Sequence, residues 1–389
     1  MKRRTLTCCL TLLALIVPEL AAQSSQFGIR GLGLPGRSAS ARTLGSASSM
    51  GLFDGESSLN PAALWSLPLA TTVLTTSQAW RTSTNPAGSA SARDNRFPQF
   101  LFGGPIPNSR LALSLSYSTY ADRDFTLATV GTASPRGVPI GVIDTLSSTG
   151  GINDLRVAAA WRVHSRLQVG LAVHALTGVN RLTSRRVWED TTFLSPRQSS
   201  ELDYLGYGLS AGVIYRPRAG LELAGTIRQD NDLTVRQDSA ETGTVDLPIT
   251  IAAAGKMAVG SRLVVASQIT RRNWSVANQG IVDQGGVAAK NTIEYSGGVE
   301  IFRNLRNRDQ LPLRLGVRYA QLPFLVGEGG QPSEIGFSAG TGLRFARNQA
   351  GFDIAVERMR RTQGSAFRET AWVLSVGVSM QTGGRTGLQ

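Results

Sequence analysis

Strict alternation of apolar and polar positions runs through most of the chain. In "RLALSLSYS", Leu111, Leu113, Leu115 and Tyr117 share one face, and Ala112, Ser114 and Ser116 the other. In "NDLRVAAAWRVH", Leu155, Val157, Ala159, Trp161 and Val163 oppose Arg156, Arg162 and His164. "LPLRLGVRY" sets Leu311, Leu313, Leu315, Val317 and Tyr319 against Arg314, Gly316 and Arg318. "EIGFSAGTGLRF" and "AWVLSVGVSM" repeat the pattern with Gly, Ser and Arg344 on the less apolar face. Period two over nine or more residues predicts a β-strand with one apolar and one polar face.

About fourteen such segments are predicted: 68–80, 96–105, 109–120, 151–163, 166–179, 200–216, 219–232, 245–258, 261–275, 290–304, 311–322, 334–347, 350–361 and 369–381. None of the intervening stretches reads as a long amphipathic helix, so the chain is all-β. Connections after odd-numbered strands are mostly long (81–95, 121–150, 180–199, 233–244, 276–289, 323–333), with 362–368 shorter. Those after even-numbered strands are mostly tight, at Pro107-Asn108, His164-Ser165, Pro217-Arg218, Gly260-Ser261 and Asn348-Gln349, with 305–310 the loosest. An even strand count with short turns at one end and long loops at the other predicts a transmembrane antiparallel β-barrel. A sandwich would not sort its loops by length, and a propeller would show a repeat of about 40 residues. Lipid offers no hydrogen bonds, so every strand must pair and the sheet must close.

In that setting the apolar face points to lipid and the polar face to the lumen. Arg156, Arg162, Glu222, Arg228, Glu294, Glu300, Arg314, Arg318, Arg344, Asp353 and Glu357 are then expected in the lumen. An arginine on the lipid side at mid-depth would cost about 2–4 kcal/mol. Two roles stay open for these charges: mutual pairing in a wet lumen, or an arginine ladder that selects a ligand. Arg156, Arg162, Arg314, Arg318, Arg344, Glu300 and Glu357 are the candidate polar lining.

The first residues, "MKRRTLTCCLTLLALIVPELAAQ", have a basic start, an apolar stretch from Leu6 to Val17 and small residues at Ala21-Ala22, which predicts a signal peptide over 1–22. Both cysteines, Cys8 and Cys9, lie in it, so the mature chain would carry no disulfide, thiolate metal site or thiol nucleophile. The net charge of +13 rests almost wholly on arginine, since Lys2, Lys256 and Lys290 are the three lysines. These arginines are spread singly among acids, which argues against nucleic acid as a partner.

Residues 23–67 are rich in Gly, Ser and Ala and precede the first strand. A lumen of about fourteen strands is too wide for side chains alone to fill, so this stretch is expected to plug it. The predicted organisation is a signal peptide (1–22), a plug or hatch (23–67), a barrel (68–382) and a tail (383–389). Pro61 fixes its own φ and keeps Asn60 out of helix, so the chain must bend there. The Asn60 side chain can bond neighbouring backbone in the bend.

"SASARTLGSASSMGLFDGESSLNPAALWSL" resembles the N-terminal hatch of the FadL/TodX-like outer-membrane transporters of fatty acids and hydrocarbons. The matching positions are Gly45, Ala47, Asp54, Ser57, Asn60, Pro61, Ala62 and Leu64. "LRLGVRYAQLPF", "GFSAGTGLRFARNQAGFDIAVERMRR" and "ETAWVLSVGVS" resemble the last strands of the same superfamily. The resemblance implies a fourteen-stranded barrel with a hatch in its lumen, lodged in the outer membrane of a Gram-negative-type bacterium. It implies uptake of small hydrophobic molecules, gated around Asp54, Asn60, Pro61 and Ala62. The outer loops would capture ligand, with Trp188, Phe193, Phe324 and Leu325 as candidates. Expected partners are membrane lipid, the hydrophobic ligand and the outer-membrane assembly machinery. PorV-type barrels share the motif, so secretion-system proteins are the alternative partners. The chain departs from many outer-membrane barrels in running on past its last strand as "SMQTGGRTGLQ" instead of ending on an aromatic residue.

No catalytic constellation, metal site or cofactor motif emerges. The two histidines, His164 and His174, are ten residues apart with no ligand spacing around them. They are the first residues to suspect for any enzymatic activity. "GIRGLGLPG" (28–36) has the glycines of a dinucleotide loop without the strand–helix unit around it. No Gly-x-Ser-x-Gly elbow stands at a strand-to-helix turn.

Overall fold

A computed structural model describes residues 25–382 apart from 87, 239, 284–287, 328 and 347–348. The predicted signal peptide (1–22), the first two residues of the predicted plug and the predicted tail (383–389) therefore lie outside the described residues.

Fourteen strands form the barrel: β1 (Ala70–Asn85), β2 (Gly88–Pro105), β3 (Leu111–Asp122), β4 (Ile140–His164), β5 (Leu167–Trp188), β6 (Arg197–Arg218), β7 (Leu221–Asp230), β8 (Thr250–Val259), β9 (Leu263–Arg272), β10 (Thr292–Ile301), β11 (Leu313–Gln321), β12 (Ser333–Phe345), β13 (Ala350–Gln363) and β14 (Phe367–Thr382). Each pairs antiparallel with the next. β14 closes the sheet on β1 from Arg368 opposite Thr84 to Thr382 opposite Ala70. Each of the fourteen predicted segments falls on one of these strands.

Alternation becomes an inside-out core. Along β3, Leu111, Leu113, Leu115 and Tyr117 are exposed, while Ala112, Ser114, Ser116 and Ser118 between them are buried. The exposed face is the one a bilayer covers, and the buried face is small and polar because it must meet a lumen filled with chain. Among the described residues no helix is long and apolar enough to cross a membrane, which is no bar to crossing with strands.

The outer ends differ from the predicted loops. The stretches 81–95 and 180–199, and much of 121–150, continue largely as strand, so β4 reaches 25 residues and β5 and β6 reach 22. A bilayer needs only about 9–11 residues per strand, so these three project well beyond it. A short strand, Phe125–Ala133, pairs with the outer half of β4, and the hairpin Leu233–Gln237 and Ala240–Val245 packs against β6.

β2 and β3 are paired only from Gln99 opposite Ser118 to Pro105 opposite Ala112. Beyond Ser118 the edge of β3 leaves β2 and is taken instead by Leu34 and Pro35, opposite Asp122 and Ala121. The wall is thus split between the outer halves of β2 and β3. Arg96 of β2 spans the split, pairing with Asp94 on its own strand and with Asp122 on β3.

Residues 25–67 run through the barrel interior and touch the inward faces of strands around it. They fold into short turns of helix: Gln26–Gly28, Ala41–Leu44, Gly51–Phe53 and Pro61–Ser66. Leu52, Phe53, Ala62 and Ala63 pack with Ile214, Ala224, Ala252 and Ala254 of the wall. Leu64 and Leu67 pack with Val73, Leu101 and three alanines of β4 and β5.

Candidate functional site

Asp54 organises the N-terminal segment. Its Oδ2 accepts from the hydroxyls of Ser40 (2.6 Å), Thr43 (2.7 Å) and Ser57 (3.0 Å), and its Oδ1 from the Glu56 amide (3.1 Å). Ser40 in turn caps the Ala41–Leu44 turn by accepting from the Thr43 amide. One carboxylate thereby ties together residues 40 to 57, a stretch with too few apolar side chains to hold a shape by burial alone.

The Asn60 corner has the geometry its residues dictate. Asn60 is extended (φ −134°, ψ 117°) and Pro61 opens the helical turn behind it. Asn60 Oδ1 accepts from the Ala62 amide at 3.0 Å, and its Nδ2 donates to the Leu52 carbonyl at 2.9 Å. Asn60 and Ala62 are fully buried against the wall. Gly212 of β6 and Gly170 of β5 make room there, since a Cβ at either would strike Asn60 or Ala62.

Charged contacts fix the segment to the wall. Arg37 holds Glu357 of β13 through both guanidinium nitrogens (3.0 and 2.5 Å). Arg344 of β12 reaches Glu56 at 2.9 Å, and Arg42 reaches Glu300 of β10 at 3.4 Å. Arg156 of β4 donates to the Ser58 carbonyl. The expected lumen charges are largely paired: Arg314 bonds Glu300 (2.8 Å) and Asp353 (2.7 Å), and Arg318 bonds Glu294 (3.4 Å) and Glu334. Arg162 differs, being exposed at the short-turn end of β4, where its guanidinium stacks 4.6 Å over the Trp65 ring.

The outer-loop aromatics separate. Trp188 and Phe193 stay at the outer end, with ring centroids 5.3 Å apart. Phe324 is only 2% exposed and packs edge-on against Trp274 at 5.4 Å, with Leu325 half-buried beside it. Phe324 sits in an apolar cluster with Leu32, Leu176, Leu233, Val235, Leu247 and Ile281, which joins the N-terminal segment, the wall and three outer connections.

Next to that cluster, a cavity of ≈ 120 Å³ lies between the N-terminal segment and β3 to β10. Its lining includes Arg37, Leu52, Leu59, Tyr120, Arg228, Gln268 and Trp274. His174 and Ser210 also face it, and they belong to a chain that sequence spacing did not disclose. His174 Nδ1 meets the Asp154 carboxylate at 2.9 Å, and its Nε2 meets Ser210 Oγ at 2.8 Å. Arg228 bonds Asp154 (2.5 Å) and Asp230 (2.8 Å). His164 is elsewhere, exposed at a short turn beside Ser165.

Asp154, His174 and Ser210 have the connectivity of a hydrolase triad, and Gly208-Leu209-Ser210-Ala211-Gly212 has the spacing of an elbow. Ser210 nevertheless lies mid-strand, paired with Ala172 on one side and Arg228 on the other. Amides in such a doubly paired strand are committed to the ladder, whereas an oxyanion site needs free donors aimed at one point. His174 and Ser210 form a hydrogen-bonding wall of the cavity, with Asp154 behind His174.

No family model and no curated protein matches the chain. Solved structures do. A FadL homologue from Pseudomonas aeruginosa superposes with a TM-score of 0.60 at 14% identity, covering 90% of this chain and 99% of that one. The CymD monoaromatic hydrocarbon channel gives 0.56 at 15% identity, covering 90% and 99%. The Pseudomonas putida toluene transporter TodX gives 0.50 at 14% identity, covering 92% and 98%. A closed fourteen-stranded antiparallel barrel with an N-terminal segment running through it thus gives the chain the same fold as these FadL-like barrels.

Proposed function

We propose that the protein takes up small hydrophobic molecules across the outer membrane, with residues 25–67 as the hatch that gates it. The observation that carries this reading is the cavity itself. It is bounded on one side by wall and on the other by a segment held through discrete polar contacts, at Asp54, Asn60, Glu56 and Arg37. Ligand enters from the outer end, past Trp188 and Phe193 and the apolar cluster around Phe324. It leaves where Leu34 and Pro35 cover the edge of β3, because the split between β2 and β3 is closed there by one short bridge and one arginine. A channel and a transporter for monoaromatic hydrocarbons share the fold, which supports a hydrophobic cargo.

The test exploits a mature chain that would hold no cysteine. Ser38 and Ser118 Oγ atoms are 2.9 Å apart across the segment–β3 contact, close enough for a disulfide. Cells producing Ser38→Cys/Ser118→Cys should accumulate labelled toluene or oleate no faster than cells without the barrel, and dithiothreitol should restore uptake. Uptake by the locked protein equal to wild type would rule out the gate. Wild-type uptake no faster than background, with a secreted protein co-purifying, would favour a protein-binding role.

A further inference from the structure

Four polar atoms of residues lining the lumen cavity are buried without a hydrogen-bond partner: Trp274 Nε1, Arg228 Nη2, Ser58 Oγ and Gln268 Oε1. Trp274 is 2% exposed and Gln268 9%. Buried polar groups are nearly always paired, so these four atoms would draw partners from whatever occupies the space beside them. The Trp274 and Arg228 atoms can only donate, and the Ser58 hydroxyl can donate or accept, so an occupant that pairs with them must carry an acceptor oxygen. Gln268 Oε1 needs a donor, which a hydroxyl also supplies.

Charge narrows the class. Each arginine of the lining already holds carboxylate: Arg37 with Glu357, Arg228 with Asp154 and Asp230, Arg272 with Glu294. With Arg318, which shares Glu294, four cations meet these four acids, so an anionic ligand would find each cation already engaged with a carboxylate. Size narrows it further. At ≈ 120 Å³ the cavity approaches the ~150 Å³ at which an engineered cavity binds benzene. Leu52, Leu59, Ala252 and the Trp274 ring supply the apolar side.

We propose that this cavity selects an uncharged molecule of about one ring bearing a hydroxyl or carbonyl oxygen, a phenol-like compound, over both a carboxylate and a bare hydrocarbon. The inference rests on the uptake reading and specifies its cargo. A site built to hydrogen-bond a substrate oxygen rejects the analogue lacking it strongly, because its own polar groups are then left unpaired.

The experiment is calorimetric titration of the full-length, detergent-purified barrel with phenol, toluene and benzoate, repeated on Trp274→Phe and Gln268→Leu. Phenol should bind at least about tenfold tighter than the other two, a modest share of the discrimination such sites reach. Trp274→Phe keeps an aromatic side chain and loses the donor, so it should narrow the phenol-to-toluene ratio by weakening phenol more than toluene. Gln268→Leu should do the same if the first variant fails to fold. Toluene or benzoate binding as tightly as phenol overturns the proposal, as does a phenol preference untouched by both substitutions. No heat from any of the three means that water alone fills the cavity, which also overturns it. Whole-cell uptake separates the two levels. Cells that accumulate toluene and phenol alike sink only the selectivity, and cells that accumulate neither above background sink the uptake reading.

Discussion

The Ser40 hydroxyl donates to the Asp54 carboxylate at 2.6 Å, and this bond joins the start of one helical turn to the end of another inside the barrel. Thr43 and Ser57 donate to the same oxygen. Removing Asp54 takes the shared acceptor from three hydroxyls at once, and a hydrogen bond to a charged group contributes about 1.5–3 kcal/mol. Asp54→Ala should therefore loosen residues 40–57 while the strands stay paired. Limited proteolysis should cut the N-terminal segment in the variant and spare it in wild type. Asp54→Asn, which keeps one acceptor, should fall between the two.

The wall is shaped to the Asn60 corner. Gly170→Val or Gly212→Val should push the corner off β5 and β6, because a side chain at either position overlaps Ala62 or Asn60. The expected readout is a larger single-channel conductance in planar bilayers, with heat-modifiable migration of the barrel retained. Gly297→Ala is the control: a Cβ there meets nothing within 4 Å, so its conductance should match wild type.

Arg314 is 2% exposed and stands between Glu300 and Asp353. Breaking a buried pair by removing one partner typically costs about 3–5 kcal/mol, because the remaining charge is left uncompensated. Arg42 and Arg344 also reach these two acids, so the loss for Arg314→Met should sit at the lower end of that range. Urea unfolding in detergent should show it. The triple variant with Glu300→Gln and Asp353→Asn should recover most of the loss, which would identify charge burial, rather than packing, as its source.

The strands were legible because lipid on one side and a packed lumen on the other force period two. The outer halves of β2, β4 and β5 lacked that signal. The polarity of "GSASARDNR" (88–96) reflects a ladder with water on its outer face, where nothing demands alternation. The glycines of "GIRGLGLPG" were visible, but their purpose was not. Gly36 donates its amide to the Tyr120 carbonyl at 2.8 Å, and a side chain there would collide with β3. Asp154 and His174 lie 20 residues apart in sequence, yet the tight turn at Ser165 sets Arg156 opposite His174, which brings Asp154 diagonal to it on the inward face. That much could have been computed from the turn. Ser210 could not, because its register across β5 and β6 follows a connection, 189–196, whose length fixes nothing. Phe324 looked like a displayed loop aromatic, and only the fold shows the Trp274 ring and the close approach of Gly31 that bury it.

Asp124, just past the outer end of β3, should make stability depend on pH. Burial, followed by the neighbouring charge of Asp122, raises its carboxyl to about 6, against 3.8 ordinarily. The folded protein then binds this proton more tightly than the unfolded chain does. The resulting stabilisation is complete below about pH 3.8 and is lost as pH rises through about 6. Asp124→Asn mimics the neutral form at every pH. The variant should melt above wild type at pH 7.5, where Asp124 is charged beside Asp122, and the gap should close as pH falls through 6 to 4.5. Melting curves in detergent at these values measure it. A gap that stays constant with pH would mean that Asp124 titrates as an ordinary surface carboxylate, with the Gly150 amide it accepts from offsetting both burial and Asp122.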